Sequence, residues 1–257
     1  VTTSGGGFSL MTEGVSLAGI IETPIVIHIG QRPGPGTGLP TRTEQADLNL
    51  ALYAGHGEFP RVIYAPGTHE ELFRLAHLAF QMADKHQSPV FILTDQYLLD
   101  SIGSFPKEVF QGGVVEQYFI RTDKDYKRYA YAENGLSPRG IPGYGEGLVG
   151  IDSDEHDEEA HITESHEVRR KMQAKRLKKM EAIRDESLMP TEIGDVKHAE
   201  TLIVVWGSNR GVTEEALELA GNDTLAALHF SQVYPLPEKA KKLFSKKRGV
   251  VMENNAG

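Results

Sequence analysis

Cysteine is missing from the chain altogether. Its absence excludes disulfides, thiolate catalysis and cysteine-ligated iron–sulfur clusters within these residues. Long apolar runs are missing too: none approaches the ~20 residues that a bilayer-spanning helix needs. No positively charged start leads into an apolar stretch, so no secretory signal is visible. The expectation is a cytoplasmic protein with no membrane partner. Positive charge is also in deficit, with 27 lysines and arginines against 36 acids, a formal net charge of -9. A general nucleic-acid binder needs a basic face and is excluded on that ground.

Several catalytic signatures are absent as well. Gly5, Gly6 and Gly7 lack the lysine and following hydroxyl of a Walker loop and do not match G-x-G-x-x-G. Ser4 is the one elbow-like serine, and it lacks the G-x-S-x-G frame of a hydrolase. What is present is ordinary for a globular chain: 257 residues, 39% hydrophobic and 25% charged. That length can bury a real core in one large domain or two smaller ones. The chain opens on Val1 and closes on "VVMENNAG", and both ends read as cut from a longer polypeptide.

Strand-like and helix-like signals alternate over residues 1–104. "TPIVIHI" (23–29), "RVIYA" (61–65) and "PVFILT" (89–94) are short apolar runs rich in β-branched residues. Such runs fit strands covered on both faces. Between the last two, Thr68 and Glu71 form a capping-box pattern before Leu72, Leu75, Ala76, Ala79 and Met82 at helical spacing. Strand, helix, strand predicts a crossover unit of a parallel sheet. Residues 105–195 break the pattern: an aromatic, turn-rich stretch, the acidic run "DSDEHDEEAH", and a basic helix over 167–184. The charge alternation reads as a solvated, self-complementing segment, with an arm packed on a partner subunit as the alternative. Alternation resumes over 196–257. There "TLIVVWG" is a strand, "SNRG" a turn, and "VTEEALELA" a helix with Thr213 as N-cap. "TLAALHFSQV" and "RGVVMEN" add strands around the helix-like "PEKAKKLFSK". The fold class is α/β: two open, mostly parallel three-layer units joined by an irregular charged segment.

Among candidate sites, the loop "QRPGPGTGLPTRTEQADL" stands out. It leaves the carboxyl end of a strand, where open parallel sheets bind ligands, and its prolines stiffen it. Arg32 follows the strand almost directly, and its guanidinium can meet a carboxylate bidentately or pair with a structural acid. The glycines at 5–7 precede a helix carrying Leu10, Met11, Val15 and Leu17, which suits either an anion cradle or a tight turn. "WGSNRG" reads as a structural turn. Of His156, Asp157, Glu158, His161 and His166, the pair His161 and His166 lacks one-turn helical spacing and the run is rich in hard carboxylates; the group is read as structural or solvated, and no metal site is assigned.

"TSGGGFSLMTEG" followed by "QRPGPGTGLPTRTEQADLNLALYAGHGEFPR" resembles the alpha subunit of the 2-oxoacid:ferredoxin oxidoreductases, particularly the 2-oxoglutarate type, and the likeness runs on to "MENNAG". The resemblance implies oxidative decarboxylation of a 2-oxoacid to its acyl-coenzyme A, with ferredoxin as electron acceptor. It implies thiamine diphosphate with Mg²⁺, shared with a beta subunit. Iron–sulfur clusters would lie in a partner chain, and gamma and delta subunits are further candidate partners. Residues 1–104 would be a partial pyrimidine-type thiamine diphosphate domain and 196–257 a partial domain similar to the transketolase C-terminal domain. Arg32 matches the substrate-carboxylate arginine. Ser4, Gly5, Gly6, Gly7 and Phe8 match the cofactor-adjacent segment, and Gln31, Thr37, Gly38, Gln45 and Asp47 frame the pocket. The glutamate that activates the aminopyrimidine is expected N-terminal to Val1, so neither Glu13 nor Glu22 takes that role and this chain supplies no catalytic residue. A non-catalytic assembly subunit retaining the fold is the rival reading.

Overall fold

The computed structural model of the protein describes residues 1–114 and 116–256. Strand β1 (Thr2–Thr3) runs into two short helices, α1 (Gly5–Ser9) and α2 (Thr12–Ile20). Strand β2 (Ile25–Gln31) and helix α3 (Leu48–Tyr53) bracket the glycine- and proline-rich loop. Strand β3 (Val62–Tyr64), helix α4 (His69–His86), strand β4 (Pro89–Asp95) and helix α5 (Gln96–Asp100) follow. These strands form a parallel sheet in the order β1-β2-β4-β3, and α4 connects the neighbours β3 and β4 as expected. The apolar runs are continuous because both faces are covered. Val26, Val62, Tyr64, Val90 and Ile92 pack with α4, while Ile27, Ile29, Ile63, Phe91 and Leu93 point into a second core.

Helix α4 starts where its cap signal lies: the Thr68 hydroxyl accepts from the Glu71 N–H at 3.2 Å. The capping box is only half made. The Glu71 carboxylate accepts from Gly67 N–H at 2.8 Å and pairs with Arg210 instead of returning to Thr68. The glycines also differ from expectation, for Gly5 to Gly7 lie inside α1 and do not precede it. The expected single helix is split in two. Leu10 N–H bonds Gly7 C=O and Met11 N–H bonds Phe8 C=O, a tightening to i→i+3 bonds that closes α1 before Thr12 begins again. Leu10 is left 90% exposed.

Residues 105–195 hold more structure than their charge pattern suggests. Strands β5 (Ile120–Thr122) and β6 (Gly140–Gly145) pair in parallel, and α6 (His166–Asp185) follows. The solvated reading of this helix fails on one face, while its self-complementing part holds: Arg169 and Arg176 pair with Glu155 of the acidic run. Met172, Lys175, Arg176, Lys179 and Ile183 are buried within the same chain. Both lysines pair with the fully buried Glu22, at 2.7 and 2.5 Å, and Arg176 pairs with Glu155 at 2.7 Å. Burial pushes the Glu22 carboxyl up, but the two ammonium groups outweigh it and hold it at about 2. Burial holds Lys179 down to about 8.

The second sheet is built from β7 (Thr191–Ile193), β8 (Thr201–Trp206), β9 (Leu225–Phe230) and, after β10 (Gln232–Tyr234), β11 (Arg248–Val251). Its order is β11-β8-β9-β7, parallel except for β7. Helix α7 (Asn209–Ala220) links β8 to β9. It begins earlier than expected: Asn209 and Arg210 are already helical, and Thr213 is no N-cap but donates its hydroxyl to Asn209 C=O at 2.7 Å. "TLAALHFSQV" divides into two strands, and β10 pairs antiparallel with β3 at the edge of the first sheet. "PEKAKKLFSK" carries a 3-10 helix, Glu238–Phe244. Gly257, the last residue of the expected second unit, lies outside the described residues. The two sheets share one apolar core, in which Leu202, Trp206, Leu228 and Phe230 join Phe8, Ile27 and Phe91. The architecture is mixed α/β with mostly parallel sheets, as the sequence indicates. Among the described residues no helix is long and apolar enough to cross a membrane.

Candidate functional site

Strands β1, β2 and β4 run parallel, so their carboxyl ends at Thr3, Gln31 and Asp95 open on one edge. Arg32 leaves that edge and starts the loop. The loop turns back on itself at Gly38, whose φ is +54° and whose absent Cβ would lie 1.8 Å from Pro33 C=O. No other residue type fits that turn. Leu39 N–H bonds the same carbonyl at 3.2 Å. The result is a cavity of about 210 Å³ walled by Gly5 and Gly6 of α1, by Arg32 and Gly34–Gly36 of the loop, and by Asp47.

Two opposite charges face this cavity without meeting. The Arg32 guanidinium makes no hydrogen bond or ion pair among the described residues. The charge it senses is that of Asp47. Asp47 stands at the N-cap of α3 yet forms no side-chain cap bond. Its N–H donates to Gln31 Oε1 at 3.1 Å, and its carboxylate is turned towards Gly5. A Cβ on Gly5 would lie 2.1 Å from Asp47 Oδ1, so only glycine permits this contact. Oδ2 is buried without a hydrogen-bond partner. Burial pushes the Asp47 carboxyl up to about 6, against the pull of Arg32 and with a further push from Glu44.

The remaining predicted residues divide by role. Gln31 is buried and orients Asp47. Gln45 is buried and fully engaged: its Nε2 donates to Trp206 C=O at 2.8 Å, and its Oε1 accepts from Asn209 and from Asn254 N–H. It therefore ties the loop to the carboxyl end of the second sheet. Ser4 caps α1 through its carbonyl, which accepts from Phe8 N–H at 2.7 Å. Phe8 sits in the core edge-on to Phe91, at 5.5 Å. Gly7 packs on Thr3, and Thr37 is exposed on the loop away from the cavity wall. Arg42 is exposed; its guanidinium donates to Thr41 C=O and its N–H to Leu39 C=O. His156 is buried against the Tyr129 ring at 3.9 Å, while the exposed His161 pairs with Asp157 at 3.4 Å. Sequence reasoning missed the link from Asp95 to Ser208, which places "WGSNRG" beside the same edge. The rule that picked the Arg32 loop, a segment leaving a strand's carboxyl end, applies equally to that stretch. A larger hollow of about 810 Å³ lies beside Glu71 and Arg210, which pair with each other at 2.5 Å.

Residues 1–175 match the family described as pyruvate flavodoxin/ferredoxin oxidoreductase, thiamine diP-bdg. The chain belongs to this family. It is 38% identical over 265 residues to the 2-oxoacid:ferredoxin oxidoreductase 1 alpha subunit of Sulfurisphaera tokodaii, covering 98% of this chain and 41% of that one. It is 31% identical over 262 residues to the 2-oxoglutarate synthase subunit KorA of Methanocaldococcus jannaschii, covering 99% of this chain and 69% of the relative. Among solved structures, 2-oxoglutarate:ferredoxin oxidoreductase from Magnetococcus marinus superposes with a TM-score of 0.88 at 30% identity, over 98% of this chain and 45% of that one. The chain thus spans about two fifths of the first relative's length.

Proposed function

We propose that this chain is the alpha-subunit portion of an oxidoreductase that decarboxylates a 2-oxoacid, forms its acyl-coenzyme A and reduces ferredoxin. The observation that carries the proposal is Arg32: a guanidinium with no hydrogen bond or ion pair among the described residues, at the strand-end edge of a parallel sheet, in a glycine-walled cavity. Such a group suits a ligand carboxylate. The Magnetococcus marinus relative holds 2-oxoglutarate, coenzyme A and succinyl-CoA, and the curated relatives carry 2-oxoacid or 2-oxoglutarate names. These names favour the enzyme over a non-catalytic assembly subunit.

The residues fit one end of thiamine diphosphate and not the whole of it. Gly6 leaves room that a side chain would fill, a Cβ there lying 3.7 Å from Gly36 C=O, but about 210 Å³ is too little for the full cofactor. We assign Ser4, Gly5, Gly6 and Gly7 to its border, and the diphosphate with its Mg²⁺ to a beta subunit. Iron–sulfur clusters belong to partner chains in this reading. When bound, thiamine diphosphate supplies the carbanion chemistry that 2-oxoacid decarboxylation needs. Arg32 holds the substrate carboxylate, Gln31 sets Asp47, and Gln45 fixes the loop. In this reading residues 1–104 form the pyrimidine-type domain, 105–195 the connecting segment, and 196–257 the beginning of the transketolase C-terminal-like domain.

The test is reconstitution of the full-length alpha chain with its partner subunit. Ferredoxin reduction that requires both a 2-oxoacid and coenzyme A is the expected result. An assembly that forms but reduces ferredoxin with no 2-oxoacid overturns the reading.

A further inference from the structure

We infer that Asp47 makes 2-oxoacid binding proton-linked: the substrate carboxylate enters the Arg32 cavity only with Asp47 in its protonated form. The inference rests on the functional reading above and goes beyond it. Three observations carry it. The cavity is small, about 210 Å³, and Arg32 and Asp47 line it together. The Asp47 backbone is held by its N–H bond to Gln31, and its carboxylate packs on Gly5, where a Cβ would lie 2.1 Å from Oδ1. Its buried Oδ2 has no hydrogen-bond donor among the described residues.

Two carboxylates in so confined a space cannot both ionise beside one guanidinium, so one pKa must rise. The substrate is the more acidic partner and keeps its charge on Arg32. Asp47 therefore takes a proton from the solvent as the substrate arrives and returns it on release, and no bond to carbon is involved. The groups that face Asp47 support this direction. Glu44, on the same loop, disfavours the ionised form, Arg32 alone favours it, and α1 and β2 contribute only Gly5 and the neutral Gln31. The free carboxyl is already raised to about 6.

The assembled holoenzyme gives the test, through the pH dependence of kcat/KM and kcat for 2-oxoglutarate. For the unmodified enzyme, kcat/KM falls about tenfold per pH unit above the Asp47 pKa, carried by KM with kcat nearly flat. Asp47→Asn, permanently uncharged, removes this break and raises kcat/KM at pH 7.5 by more than about tenfold over the unmodified enzyme. Should that variant fail to assemble, Glu44→Gln lowers the Asp47 pKa and moves the break to lower pH. An unchanged break in Asp47→Asn, or in Glu44→Gln, overturns the inference while leaving the functional reading intact. A holoenzyme that turns over no 2-oxoacid at any pH overturns the reading itself, and the inference with it.

Discussion

Gly5 occupies a position where a single methyl group would reach the proposed chemistry. Its absent Cβ lies 2.1 Å from Asp47 Oδ1, well inside van der Waals contact. Gly5→Ala must displace either α1 or the Asp47 carboxyl, and overpacking of this kind costs about 1–3 kcal/mol. The expected outcome is a lower melting temperature together with a raised KM for the 2-oxoacid. A variant that melts normally and keeps its KM would show the contact to be unimportant. Arg32 was legible at this scale because its position depends on local sequence alone, one residue beyond a strand. Asp47 was legible as a neighbour but not as a raised carboxyl. That property comes from burial and from the Gly5 contact, which only the folded chain brings together.

At the scale of elements, α6 shows what charge patterning hides. A run of lysines and arginines reads as solvated because a buried charge needs a partner, and Glu22 lies far away in sequence, in the turn between α2 and β2. Once Glu22 is in place, Lys175 and Lys179, one turn apart, close on it from one helix face. Glu22→Gln leaves two buried ammonium groups uncompensated and is expected to destabilise by about 3–5 kcal/mol, read from urea unfolding. The pH dependence has a definite sign. The folded carboxyl titrates near 2 and the unfolded one near 4.5, so its contribution is complete above pH 4.5 and is lost as pH falls towards 2. Glu22→Gln should flatten that part of the stability curve; a variant as acid-sensitive as the parent would assign the effect to other carboxylates. By contrast β2, β3, β4 and α4 were readable directly, since apolar periodicity and the Thr68 cap are local signals.

At the scale of the molecule, the two sheets are held together by the shared core and by Gln45, which reaches Trp206 C=O and Asn254 N–H from the loop that carries Arg32. The crossing of β10 to pair with β3 belongs to the same joint. Neither was readable from the sequence, because both depend on pairings between distant segments. The consequence is that the Arg32 loop is braced from both sides and presents its guanidinium to the cavity from a fixed frame. The most direct test is therefore Arg32→Ala in the assembled enzyme, read as kcat/KM for 2-oxoacid-dependent reduction of ferredoxin. The account predicts a fall of more than tenfold, a loss beyond about 1.4 kcal/mol of transition-state stabilisation, with assembly unaffected. A fall of less than about tenfold would contradict it.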